Sequence, residues 1–267
     1  MQAMMNFVIC GAQKSGTSAF HSYLGCHPEI SIAETKELHL FDNETRDWSD
    51  QGINKIDNEI EHFFIPSKQT KVMGEATPVS LWWKPAIERI WKYNPEMRLI
   101  AILRNPITRA YANWRMERLR GRETDELPLS LAQEEIRCRG ALPLQDRVKS
   151  YLSRGFYTEQ LRRAWQFFPR DQMLIIKQDD LIDQPETVLN KTYKFLGVSP
   201  QKILQKLHIP SWRAEISHAG KKAGLENLIP HTAPVATLNS LKDVYREEIE
   251  AIEKMLDWDC KDWLSLS

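Results

Sequence analysis

The sequence predicts an α/β chain, with a central parallel β-sheet flanked by helices in a single domain over residues 1–267. Three observations predict it. Short apolar runs rich in β-branched residues alternate with stretches of helical periodicity, and that alternation implies right-handed crossovers between parallel strands. No internal repeat and no low-complexity linker divides the chain. With 42% hydrophobic and 27% charged residues over 267 positions, the chain can bury a sizeable core.

The elements follow in order. Asn6–Cys10 (NFVIC) reads as a strand stopped by Gly11, and Thr17–Leu24 as a helix after the intervening loop. Val72–Gly74 is a weaker strand. Ala86–Tyr93 is a helix behind Pro85, a good first-turn residue. Leu99–Leu103 (LIAIL) is a buried-type strand stopped by Arg104-Asn105-Pro106, and Ile107–Arg118 is a helix behind that proline. Tyr157–Phe168 places apolar residues at 157, 161, 164, 165 and 168, one face of a helix. Met173–Lys177 (MLIIK) is a further strand, and Leu238–Leu256 a helix with apolar positions 238, 241, 245, 249, 252 and 256. The stretches 42–60, 119–150 and 208–236, rich in charge, Pro, Gly or His, read as irregular.

Composition excludes several classes. Lys+Arg and Asp+Glu are both 36, which argues against a protein built to coat nucleic acid and leaves room for a local basic pocket. The four cysteines, at 10, 26, 138 and 260, form no C-x-x-C, so a zinc ribbon or thioredoxin-type site is not expected. Reduced thiols and a cytoplasmic setting fit this spacing. No apolar run reaches the length of a spanning helix, and the start, MQAMMNFVICG, lacks the basic and apolar regions of a signal peptide.

The sharpest local signal is Gly11-Ala-Gln13-Lys14-Ser15-Gly16-Thr17-Ser18, between a predicted strand and a predicted helix. Glycines let successive N–H groups point at one anion, and the helix amino terminus adds its dipole. Lys14 adds a point charge, and Ser15, Thr17 and Ser18 add hydroxyls. This is not a Walker A loop: Thr17 stands where the lysine would follow the second glycine. A triphosphate site also wants an acid for Mg²⁺. Here the LIAIL strand is followed by Arg104, so the expected pocket is cationic and metal-free.

Three further segments follow in one order: Lys36-Glu37-Leu38-His39-Leu40-Phe41-Asp42, Gly74-Glu75-Ala76-Thr77-Pro78, and Leu103-Arg104-Asn105-Pro106 running to Tyr111. With GAQKSGTSAF they resemble the sulfotransferase family that uses 3′-phosphoadenosine 5′-phosphosulfate (PAPS), especially bacterial members and the domains acting on heparan sulfate. Later stretches, from Arg154-Gly155-Phe156-Tyr157 to Phe195-Leu196-Gly197-Val198, are similar to it too. The resemblance implies a P-loop-like sulfotransferase fold that transfers a sulfuryl group from PAPS to an acceptor oxygen or nitrogen.

What the resemblance implies falls on particular residues. Gly11, Gln13, Lys14, Ser15, Gly16, Thr17 and Ser18 would cradle the donor's 5′ end, with Lys14 at the leaving phosphate. In the heparan sulfotransferases a Lys-Glu-x-His-Phe-Phe-Asp segment supplies the catalytic glutamate; Glu37 holds that position here, and Leu40 replaces a Phe. His39 is the rival base, since histidine titrates nearest neutrality, or a helper that orients the acceptor. Arg104 is the candidate 3′-phosphate ligand, its guanidinium fork suiting phosphate. The family's second ligand there, a Ser eight residues on, is Ala112 in this chain. Lys221 and Lys222, in a Gly-Lys-Lys stretch where related enzymes close a loop over the 3′-phosphate, are the candidates to compensate. Arg109 keeps the family pattern and suits a brace for its helix.

Several readings stay open. Glu75 and Thr77 suit a structural role or an acceptor role equally. Trp82 and Trp83 read as core. Residues 119–124 (LRGRET) are either a contact for an anionic acceptor or a solvated charged face. A small-molecule, glycan, lipid or carrier-bound acceptor all fit, with no nucleic acid and no membrane span. A non-catalytic PAPS-binding module, which Ala112 favours, and a P-loop nucleotide kinase, which lacks its Walker-type lysine, are the alternatives.

Overall fold

The computed structural model describes residues 4–201 and 233–265. These form two compact units, one of residues 4–103 and 161–201, the other of residues 104–160 and 233–265. The predicted irregular stretch 208–236 lies largely outside the described residues, as do Lys221 and Lys222.

The first unit is built on a five-stranded sheet of order β2-β3-β1-β4-β5. Its strands are β1 (Phe7–Gly11), β2 (Ile30–Ile32), β3 (Val72–Ala76), β4 (Arg98–Leu103) and β5 (Met173–Lys177). Every pairing is parallel, with Phe7 opposite Gly74 on one side and Arg98 on the other. All five residues of β1 are buried, as a parallel sheet covered on both faces requires. One face packs Phe7, Ile9, Ile100, Ile102, Leu174 and Ile176 against helix α1 (Thr17–Gly25) and the later helices α8 (Gln178–Asp183) and α9 (Pro185–Leu196). Fully buried side chains such as Phe20 and Leu24 of α1 each contribute about 1.5–3 kcal/mol. At Gly74, opposite Phe7, there is no room for a side chain: a Cβ there would lie 2.4 Å from the Phe7 carbonyl oxygen.

The segment between β2 and β3, expected to be irregular over 42–60, contains two short helices, α2 (Asp50–Ile53) and α3 (Ile56–Ile60). Ser49 caps α2, and an Arg46–Glu59 ion pair at 2.6 Å ties the segment together. Helix α4 (Ala86–Tyr93) starts behind Pro85 as predicted and buries Ala86, Ile87 and Ile90.

The second unit opens with α5 (Pro106–Leu119), where Asn105 accepts from the Ile107 N–H and Pro106 occupies the first turn. It continues through α6 (Leu127–Gly140) and closes with α10 (Val235–Leu256) and the short α11 (Lys261–Leu264). Helix α7 (Tyr157–Ala164) straddles the boundary in sequence. The expectation that 119–150 is irregular is corrected by α6. Its buried positions are Leu127, Ser130 and Glu134, while Ile136 points outward at 74% exposure, so no apolar periodicity marks it. The helix is anchored instead by Glu134, whose carboxylate accepts from the Leu152 and Ser153 N–H groups at 2.6 and 2.8 Å. Among the described residues no helix is long and apolar enough to cross a membrane, and none of the four cysteines forms a disulfide.

Candidate active site

Strand β1 is the centre of the sheet, with β3 on one side and β4 on the other. Parallel strands end at the same edge, and ligands of open α/β sheets bind outside that carboxyl edge. The loop after β1 and the residues closing β3 therefore share one edge of the first unit.

The loop after β1 is tightly held. Gly11 is required because a Cβ would lie 2.6 Å from the Leu81 side chain, whose own N–H donates to the Cys10 carbonyl at 2.7 Å. The Ala12 N–H donates to Ile102 O at 2.8 Å, and the Ser15 N–H turns back to Ala12 O at 3.2 Å. Lys14 and Gly16 both take left-handed backbone, φ 73° and 89°. The loop delivers the chain into α1 with Gly16 as a cap that lends no side chain, and no acid sits in the first turn. The positive end of α1 is thus left without a neutralising group of its own helix. Ser15 is fully buried, and its Oγ has no hydrogen-bond partner among the described residues. Thr17 is buried, while Gln13, Lys14 and Ser18 are half-buried. An orphaned hydroxyl, a lysine and an uncapped helix start suit a phosphate group.

The second predicted segment is brought to the same edge by two of its backbone N–H groups, which donate to the last residue of β3 and to the side chain that follows it. The Glu37 N–H donates to Ala76 O at 2.9 Å, and the His39 N–H donates to Thr77 Oγ1 at 3.3 Å. Glu37 and His39 are themselves left-handed, φ 62° and 52°. Lys36 Nζ lies 2.8 Å from Glu37 Oε1. Glu37 Oε2 lies 3.7 Å from His39 Nε2, and the other imidazole nitrogen, Nδ1, lies 2.9 Å from Asp42 Oδ2. Asp42 is fully buried, whereas the His39 side chain is 51% exposed. Two carboxylates thus bracket one accessible imidazole.

Beneath this segment, Thr77 Oγ1 donates to Glu75 Oε2 at 2.6 Å. Both residues are buried, and Glu75 Oε1 has no hydrogen-bond partner among the described residues. Burial pushes the Glu75 carboxyl up to about 7 against the pull of the Thr77 bond, and the charges of Asp42 and Glu37 act in the same direction as burial. On α1, the His21 ring nitrogen Nε2 lies 2.9 Å from Ala33 O; burial lowers the pKa of this imidazole.

Arg104 opens the second unit, half-buried, with its Nε donating to Thr108 Oγ1 at 2.9 Å and its carbonyl accepting from the Tyr157 hydroxyl at 2.8 Å. Ala112 lies two turns along α5, half-buried. Arg109 is fully buried, donating to Asn113 and to the Tyr151 carbonyl, which makes it a brace within that unit. The arginines in and beside the 119–124 loop are paired: Arg122 lies 2.6 Å and Arg120 3.9 Å from Glu117, and Arg118 lies 3.1 Å from Glu126. Trp82 and Trp83 are buried core residues, the latter donating to Glu44 at 2.7 Å. Asp42 and the Thr77–Glu75 pair were not singled out for this arrangement by sequence reasoning; the His39/Asp42 spacing of three residues was the available signal for the first.

A family model described as "Sulfotransferase domain" matches residues 5–215. Heparan sulfate glucosamine 3-O-sulfotransferase 5 of Mus musculus is 27% identical over 201 residues, which cover 75% of this chain and 56% of that protein. The bifunctional heparan sulfate N-deacetylase/N-sulfotransferase 3 of Mus musculus is 30% identical over 203 residues, 73% of this chain and 22% of its own. The chain thus spans little more than half the length of the first and about a fifth of the second. Among solved structures, a sulfotransferase from Alicyclobacillus acidocaldarius superposes with a TM-score of 0.77 at 24% identity, over 98% of this chain and 99% of that one, a likeness of fold.

Proposed function

Because the chain belongs to the sulfotransferase domain family, we propose that it transfers a sulfuryl group from PAPS to a hydroxyl or amine of an acceptor, and that its two units work as one transferase domain. The observation that carries the proposal is the shared sheet edge. An anion loop after β1 and a carboxylate–histidine segment pinned to the end of β3 stand at the same ends of adjacent parallel strands. Transfer needs both: a cationic cradle for the donor and a base for the acceptor.

PAPS, when bound, supplies the sulfuryl group and a phosphate leaving group. The chain's own residues do the rest. The N–H groups at the start of α1, with the Ser15 and Thr17 hydroxyls, receive the phosphate oxygens. Lys14 holds positive charge where negative charge grows on the leaving oxygen. Glu37 takes the acceptor's proton through Oε2, since Lys36 already occupies Oε1. Asp42 fixes the His39 ring by accepting from Nδ1, which directs Nε2 toward Glu37 and the acceptor. Arg104 is the proposed grip on the 3′-phosphate, and Lys221 or Lys222 the second cation in place of a hydroxyl at position 112. Four cysteines outside any disulfide fit a cytoplasmic setting.

Two measurements test the reading. Calorimetry with the product nucleotide, 3′-phosphoadenosine 5′-phosphate (PAP), in EDTA is expected to show binding, and a labelled-PAPS screen against phenols, sugars, amino sugars and lipid alcohols is expected to show transfer. Binding without transfer would leave a nucleotide-binding module; binding of ATP with Mg²⁺ in place of PAP would favour a kinase.

A further inference from the structure

Glu37 and His39 hold backbone conformations that side-chain-bearing residues avoid, and such conformations persist only where the surroundings over-determine them. Two of the holding groups lie at the end of β3. Ala76 O takes the Glu37 N–H at 2.9 Å, and Thr77 Oγ1 takes the His39 N–H at 3.3 Å. A threonine hydroxyl has one proton and two lone pairs. Its proton is committed to Glu75 Oε2 at 2.6 Å, which turns a lone pair of the oxygen toward the His39 amide. Without an acceptor at Glu75, the hydroxyl could rotate and the direction of the chain of bonds would be lost.

Glu75 is a costly group to keep in this place. It is fully buried, one of its oxygens is unbonded among the described residues, and the charged groups acting on it are Asp42, His39 and Glu37. The buried Cys10 thiol of β1 feels its charge in turn. An apolar side chain would fill the same space without an orphaned oxygen. We propose that Glu75 is a positioning residue: acting through the Thr77 hydroxyl, it fixes the left-handed turn that presents Glu37 and His39 at the sheet edge. The meaning of that turn rests on the transfer reading above; the grip itself does not.

The test pairs each disruptive variant with a conservative one. Thr77→Val and Glu75→Leu break the chain of bonds, whereas Thr77→Ser and Glu75→Gln keep an acceptor and a donor in place. Amide hydrogen exchange of the 36–41 segment is expected to quicken roughly tenfold in the first pair and to stay near wild type in the second. Transfer from labelled PAPS to the acceptor panel is expected to fall roughly tenfold in the first pair with PAP affinity unchanged. Unchanged exchange in Thr77→Val, quickened exchange with full transfer, or a fall in PAP affinity matching the fall in transfer would each overturn the proposal. If Glu75→Leu does not fold, the Thr77 pair decides. Glu37→Gln is run alongside: full transfer by that variant removes the base assignment, and the exchange data still judge the grip.

Discussion

His39 Nδ1 lies 2.9 Å from Asp42 Oδ2, and the two residues could hardly differ more in setting, an imidazole half in solvent against a carboxylate with no exposure at all. Opposite an ionised Asp42, which only accepts, Nδ1 is the nitrogen that donates, and Nε2 lies 3.7 Å from Glu37 Oε2. The histidine is thereby oriented from behind, an arrangement that suits either a helper or a base.

That ambiguity yields the first prediction. Glu37→Gln keeps shape but removes the basic oxygen, and is expected to slow single-turnover transfer by about 10²–10⁴-fold with PAP affinity unchanged. His39→Ala is expected to lose less. The reverse ranking would make His39 the base and Asp42 its orienting partner.

The second prediction concerns Lys14. Lys14→Ala is expected to lower transfer by about 10²–10³-fold, the loss typical of one preorganised donor at a developing charge. Its thermal unfolding midpoint is expected to stay near wild type, because the side chain is only half-buried. Normal transfer in this variant would remove the leaving-group role.

The third prediction is a pH dependence of stability. The Glu75 carboxyl ionises at its ordinary 4.5 in the unfolded chain and at about 7 when folded. Below pH 4.5 both states hold the proton and the group carries no penalty. Between about 4.5 and 7 the unfolded chain gives up a proton that the folded chain retains, so stability falls as pH rises. Relative to Glu75→Gln, the wild type is expected to lose roughly 3 kcal/mol across that window. Urea unfolding at a series of pH values checks it; parallel curves for the two proteins would show that Glu75 titrates normally.

The fourth prediction addresses the 3′ end. Arg104→Ala is expected to weaken PAP binding, and Ala112→Ser to strengthen it by about 0.5–1.5 kcal/mol, the net worth of one added hydrogen bond. Calorimetry reads both. Unchanged affinity in Arg104→Ala would place the grip on other residues.

Much of the fold was legible because it is written in apolar runs. Leu99–Leu103 is a continuous buried stretch and Met173–Lys177 a continuous apolar run ending in lysine, with Met173, Leu174 and Ile176 buried, and Pro85 and Pro106 mark helix starts that the structure places there. Two kinds of element were not legible. Strand β2 is only three residues long, too short for any pattern to emerge. Helix α6 hides its identity because a buried glutamate anchors it while Leu129 and Ile136 face outward. At the site, the loop could be read locally because glycines, lysine and hydroxyls are adjacent in sequence. The link between His39 and Thr77 could not, since it joins residues 38 positions apart through a backbone conformation that no periodicity encodes.

The left-handed backbone at Lys14, Glu37 and His39 sets stability against activity. Each such residue costs roughly 1–2 kcal/mol that glycine would not, and each carries a side chain that the proposed chemistry requires. Directed selection for heat resistance alone would find its easiest gains by erasing these three side chains. Thermostable descendants of this protein are better sought at its surface, with those positions held fixed.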